Sequence, residues 1–133
     1  MRKVLLVMIA IIIFAVGLFS FRFLIGGDED DWIKDSKGVW IKHGNPSSTP
    51  EKVIQQQNAI IQARELYRTK KAEGINFSSE CLGNSGDYAI DIVNVPRNAE
   101  DNLAENQCAD YLSGEVHSFI ELDKEGNVVR IVD

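Results

Sequence analysis

The pattern of apolar and polar positions changes character along this chain, and each change marks an element. From Val4 to Phe21 eighteen consecutive residues carry no charge and only Ser20 is polar. After Arg22 the apolar run resumes through Phe23-Leu24-Ile25. At about 1.5 Å per residue, a helix over residues 4–25 spans roughly 33 Å, enough for a bilayer's hydrocarbon core. Arg22 is one turn from its end, where a long side chain snorkels to the headgroups. Gly26-Gly27 breaks the helix, and the acidic run Asp28-Glu29-Asp30-Asp31 follows. Arg2 and Lys3 precede the run, so the positive-inside rule predicts a cytoplasmic N-terminus and an extracytoplasmic C-terminal domain. The competing reading is a cleaved signal peptide, with Ala15-Val16-Gly17 as the processing triplet. Cleavage there would leave a hydrophobic mature N-terminus. No Cys lies near the end of the run to carry a lipid. The expectation is a single-pass cell-membrane anchor over 1–27, with the lipid bilayer as its partner through residues 4–25.

Residues 28–37 read as an acidic spacer holding Trp32-Ile33, and 38–133 as one domain. A short strand, Val39 to His43, ends at Gly44-Asn45-Pro46. A long amphipathic helix is predicted over about 50–73. Ser48 and Glu51 fit an S-x-x-E capping box, Pro50 suits the first turn, and Gly74 is a natural terminator. Val53, Ile54, Ile60, Ile61, Ala63 and Tyr67 share one broad face; Gln55, Gln56, Gln62 and Arg68 are assigned to the solvent face. Alternation then predicts strands over 88–95, 116–122 and 128–132, with Asp123 to Asn127 as a hairpin loop. Residues 97–114 are polar and irregular, with a helical turn or two. The implied architecture is α+β: an N-terminal transmembrane helix, then one long amphipathic helix packed on a small antiparallel sheet, with residues 39–43 as a further edge.

This element order resembles the cystatin-like and PepSY-like extracytoplasmic modules. The likeness lies only in the order and in the C-terminal hairpin Glu121 to Val129, and no cystatin-type Q-x-V-x-G segment is present. A more specific likeness covers some 16 residues. Trp32-Ile33 followed by Gly38-Val39-Trp40-Ile41-Lys42-His43-Gly44-Asn45-Pro46-Ser47 resembles a W-I-C-x-x-G-x-W-V-K-H-G-N-P-S segment. That segment belongs to small uncharacterised secreted or membrane-anchored prokaryotic proteins, many of them archaeal. Lys34 stands where the pattern has Cys, and one extra residue precedes Gly38. The resemblance implies no known function.

Charge narrows the partners. Three of the 14 basic residues and none of the 20 acidic ones lie before Asp28, leaving 11 basic against 20 acidic groups, a net charge of −9. So acidic a surface excludes nucleic acid, whose binding needs Lys and Arg on phosphates. The two cysteines, Cys81 and Cys108, lack a C-x-x-C arrangement and neighbouring His, and are expected to form one disulfide.

Catalytic signatures are thin. His43 and His117 are the only histidines, and two without a third spaced ligand do not define a metal site. Gly83-Asn84-Ser85-Gly86-Asp87 lacks the G-x-S-x-G spacing of a nucleophile elbow and reads as a turn. Asp123 to Asn127 is too close to the last residue given for an EF-hand loop. Asn76-Phe77-Ser78 is a glycosylation sequon, usable only where the machinery exists. No catalytic, cofactor or metal residue is assigned. Trp32, Trp40, His43 and His117 form the candidate binding surface. The expected function is a membrane-tethered extracytoplasmic interaction module for an envelope protein or other cell-surface component. The alternative is a metal-dependent or hydrolytic envelope enzyme using His43 and His117.

Overall fold

The computed structural model describes residues 2–25 and 30–133; within the first helix, side chains are described for Val4 and residues 6–20. The side chains of Arg22 and Phe23, and residues Gly26 to Glu29, all of which the anchor reading used, lie outside what is described. Helix α1 (Arg2–Ile25) exposes every described side chain. Among the described residues no helix is long and apolar enough to cross a membrane. This overturns the single-pass anchor over 1–27, and with it the transmembrane helix in the expected fold, the cell-membrane location and the topology built on it.

The chain forms two compact units. The first holds α1 and residues 30–33 and 41–49. Trp32, on strand β1 (Asp31–Lys34), donates its indole N–H to the Ser48 carbonyl at 3.1 Å. Lys42, on strand β2 (Trp40–His43), reaches Asn45 at 3.2 Å. Gly44 has φ +65°, a left-handed backbone that favours glycine, and a Cβ there would push against an Asp30 carboxylate oxygen at 1.9 Å. Strands β1 and β2 pair with each other in a two-stranded sheet. The 39–43 segment was expected to add an edge to the main sheet; it pairs with β1 instead.

The second unit, residues 34–40 and 50–133, is α+β. Helix α2 (Glu51–Ala72) covers a sheet of β3 (Glu80–Ser85), β4 (Tyr88–Ile92), β5 (Ser118–Leu122) and β6 (Val128–Val132), in that order. The sheet is mixed, which corrects the antiparallel meander: β3–β4 and β5–β6 are hairpins, but β4 and β5 run parallel. Strand β3 escaped the sequence pattern because Glu80-Cys81-Leu82-Gly83-Asn84-Ser85 has two glycine-adjacent polar residues and a bulge between Cys81 and Gly83 in place of clean alternation. A tight turn cannot join parallel neighbours. Residues 93–117 supply the crossover, with two short 3-10 helices and helix α3 (Ala109–Ser113).

Ile90, Ile92, Ile120, Leu122 and Ile131 face α2, where Ala59, Ile60, Ala63 and Tyr67 meet them. The helix differs from expectation in its start and its face. Pro50 is the N-cap residue with φ −59°, and no side chain caps the helix, so the Ser48–Glu51 box is not formed. The proline ring pre-sets the entry, and Ser48 is too far upstream to reach the first free N–H groups. Ile54 and Ile61 are exposed, whereas Gln56 is fully buried. Burial at 53, 56, 60, 63 and 67 follows a narrow three-and-four spacing, and a glutamine occupies one of its positions.

That glutamine is fully hydrogen-bonded. Its amide oxygen accepts from Trp40 N–H at 2.8 Å, and its NH2 group donates to the Gly38 carbonyl (3.0 Å) and Asp133 Oδ2 (3.1 Å). It thus ties α2 to the 35–39 turn and to the residue after β6. The turn in turn lies along β6: Ile131 N–H donates to the Lys37 carbonyl at 2.7 Å. Gly38, with φ +81°, passes so close that a Cβ would meet the Ile131 carbonyl oxygen at 2.2 Å.

Gln56→Ala should therefore destabilise the protein by about 2–4 kcal/mol, because it leaves buried backbone partners unpaired. Ile60→Ala should cost about 2–4 kcal/mol through lost burial, and Ile61→Ala less than about 0.5 kcal/mol. Urea denaturation with the disulfide intact measures all three. A Gln56→Ala midpoint equal to the parent's would remove the amide from this role.

Candidate functional site

The face of the sheet opposite α2 is where charge collects. Alternation sends Ile90 and Ile92 of β4 to the core and Ala89 and Asp91 the other way; on β5, Phe119 and Glu121 do the same. The crossover folds over this face and leaves a cleft of about 400 Å³ whose lining includes Asp91, Arg97, Tyr111, Glu121 and Arg130.

Glu121 is 4 % exposed and is held from both sides. Arg130 makes a two-pronged contact, Nε and Nη2 at 2.9 and 3.0 Å. Arg97, from the crossover, pairs with Oε1. Two-pronged guanidinium–carboxylate pairing fixes orientation as well as charge. The Arg130 guanidinium also lies 4.9 Å over the Phe119 ring, which meets Tyr111 edge-on at 5.1 Å. Arg97 is anchored at its other end by the Asp101 carbonyl and the Asn102 side chain, both at 3.1 Å.

Asp101 pins this part of the crossover. It accepts from the N–H groups of Asn94 (2.9 Å) and Asn98 (2.7 Å). Burial pushes its carboxyl up, but these donors and the Ser79 hydroxyl outweigh that and hold it below the usual carboxylate range.

Asp91 is different. It is buried and pairs in register with Glu121 across the parallel strands. Burial first, then the Glu121 charge, pushes its pKa up to about 6, against the opposing pull of the Cys108 N–H and Arg97. Both arginines bond Glu121 directly, and neither bonds Asp91.

Cys81 and Cys108 form the expected disulfide, with Cα atoms 4.9 Å apart. It staples the crossover to β3 at the rim of this face. Ligand atoms of Cys81, Asp91 and Cys108 lie within 4.8 Å of one another. Disulfide sulfurs are not thiolates, the form that binds metal, so the oxidised trio is no metal site.

The surface expected from the sequence is divided. Trp32 and His43 belong to the first unit, Trp40 and His117 to the second. His43 is exposed on β2. Trp40 is half-buried in a recess of about 390 Å³, with Lys52 Nζ 4.3 Å and Lys34 Nζ 5.1 Å from its ring centre. Its indole N–H is buried without a partner among the described residues. Asp87 lines the same recess, and His117 Nδ1 lies 3.4 Å from Asp87 Oδ1. Asp133 also borders it, pairing with Lys34 and accepting from the Tyr88 hydroxyl at 3.0 Å. Burial raises the Tyr88 pKa; at Asp133, burial is outweighed by the donors Lys34, Tyr88 and Gln56, which lower it. Of the 83–87 segment, read from the sequence as a turn, Gly83 to Ser85 are the end of β3 and only Gly86-Asp87 turn the chain into β4; Asp123 accepts from Asn127 N–H (2.8 Å) and Glu125 N–H (3.0 Å) within its hairpin.

Asp91, Arg97, Glu121 and Arg130 went unremarked in the sequence reading. The signal was available: Asp91 between Ile90 and Ile92, Glu121 between Ile120 and Leu122, each a carboxylate inside an apolar strand. Compared with protein-family models, with curated proteins and with solved structures, the chain matches none.

Asp91 also carries a pH signature. Its folded pKa lies above the ordinary value of 3.8, so the folded state binds the extra proton and this contribution to stability is lost as pH rises from about 4 to 6. Asp91→Asn keeps the neutral shape. Between pH 4 and 7.5 its stability relative to the parent should therefore rise by roughly 2–3 kcal/mol. Denaturant midpoints of both proteins at both pH values test this. An unchanged difference would mean that the carboxyl titrates normally.

Proposed function

We propose that this protein is a non-catalytic binding module, and that its cleft takes a cationic group, a lysine or arginine side chain of a partner protein. The observation that carries this reading is Asp91: a buried carboxyl facing a cleft, with no cation hydrogen-bonded to it among the described residues, while its neighbour Glu121 has two. An incoming ammonium or guanidinium would give the carboxylate a directly bonded charge partner and favour its ionised form. The excess of 20 acidic over 14 basic residues draws a basic partner toward the surface. The hydrolytic alternative rests on His43 and His117; His117 has one carboxylate, Asp87, 3.4 Å from its Nδ1, and neither histidine lines the cleft.

The test is a titration of the full chain with butylammonium and butylguanidinium, followed by 15N–1H correlation spectra at pH 7.5. Saturable shifts should centre on Asp91, Tyr111 and Glu121. They should vanish at pH 4.5, where Asp91 is protonated, and in Asp91→Asn, yet persist in His43→Ala and His117→Ala. Shifts that survive Asp91→Asn, or none at all, would sink the proposal.

A further inference from the structure

The disulfide is asymmetric. Cys81, on the edge strand β3, is exposed, whereas Cys108 is 1 % exposed and packs with Ala89 and Val116. Asp91 Oδ1 lies 3.1 Å from Cys108 Sγ, and the Cys108 N–H donates to the same carboxyl. Cys81 is therefore the solvent-facing end of the bridge, and the Cys108 sulfur has a carboxyl within proton-transfer distance. Thiol–disulfide exchange depends on these two things: access to the attacked sulfur, and relief of charge on the sulfur that leaves.

We propose that Cys81–Cys108 is a thiol–disulfide exchange site, in which an external thiolate attacks Cys81 and Asp91 passes its proton to the departing Cys108 sulfur. The reductant is a dithiol, small or on a protein. Its thiolate forms a bond to Cys81 Sγ as the Cys81–Cys108 bond breaks, and the electron pair of that bond goes to Cys108 Sγ. The Asp91 proton moves to that sulfur, leaving a carboxylate. The second thiol, as thiolate, then attacks the mixed disulfide, releasing the oxidised dithiol and a Cys81 thiolate. Two electrons pass from the dithiol to the cysteines. In the oxidising direction the Asp91 carboxylate takes the proton back as Cys108 attacks the mixed disulfide.

The groups facing Asp91 suit this role. Glu121 on β5 disfavours a second negative charge beside it; Arg97 from the crossover opposes that, and Arg130 from β6 is committed to Glu121. With its carboxyl near 6, Asp91 is mostly protonated at pH 5 and mostly ionised at pH 8. The inference goes beyond the amine-binding reading and shares only Asp91 with it, so the two are measured separately.

The experiment follows opening of the disulfide in the full chain by dithiothreitol, without any amine, from pH 5 to pH 8. Rates are normalised to the reagent's thiolate concentration. The parent's normalised rate should fall by more than about tenfold across this range as the acid is lost. Asp91→Asn should give a flat profile. Glutathione intermediates quenched with acid should carry the adduct on Cys81. A flat parent profile, a slope retained in Asp91→Asn, or glutathione on Cys108 would each overturn the proposal. The parent profile and the adduct map decide the matter even if Asp91→Asn does not fold.

Discussion

Two neighbouring strands that run in the same direction cannot be joined by a tight turn, and the chain between them must travel the length of the sheet. Here that constraint falls between β4 and β5, at the middle of the four-stranded sheet. With α2 already on one face, residues 93–117 cover the other. Everything chemically notable in the second unit follows from this return path. It brings Arg97 to Glu121, sets Tyr111 against Phe119, and delivers Cys108 to Cys81 and Asp91. An antiparallel connection would have left the same strand residues, Asp91 and Glu121, facing water as ordinary solvated carboxylates.

The crossover is built with little apolar material, and it holds its shape by other means. Its hydrophobic contacts centre on a small cluster of Ala89, Cys108 and Val116, with Tyr111 and Phe119 beside it. Asp101 gathers the backbone of Asn94 and Asn98, Arg97 ties Asn102 to Glu121, and the disulfide fastens the far end. On the chain-entropy account a bridge closing a loop of this size contributes about 3–4 kcal/mol, a substantial share for a small domain. The opposite face needs none of this, because Ile90, Ile92, Ile120 and Leu122 bury completely against α2.

How much of this was legible depended on whether the information is local. Helix α2, strands β4 to β6 and the last hairpin each follow from spacing within a few residues, and each was found. Cys81–Cys108 followed from a count of two. The direction of β4 relative to β5 is not local: antiparallel and parallel partners show the same alternation over 88–92 and 118–122, and only the polar 97–114 stretch between them hinted at a long return. Gln56 failed for a related reason. Its polarity points to solvent, and its burial makes sense only once Trp40, Gly38 and Asp133 are seen to surround it. The anchor reading does not survive, because among the described residues no helix is long and apolar enough to cross a bilayer.

The turn at 35–39 has a further consequence. An open sheet ends in two strands with unpaired backbone groups, and such edges recruit strands from other molecules. On β6 the Ile131 N–H is taken by Lys37, while the Lys37 ammonium reaches the Val128 carbonyl at 2.9 Å. The close passage of Gly38 leaves no room beside Ile131 for a foreign strand. At the other border, β3 is bulged at Cys81–Gly83 and tied to Cys108, which spoils the flat register that strand addition requires. Both margins of the sheet are thus blunted against self-association, one by a borrowed segment and the other by its own irregularity.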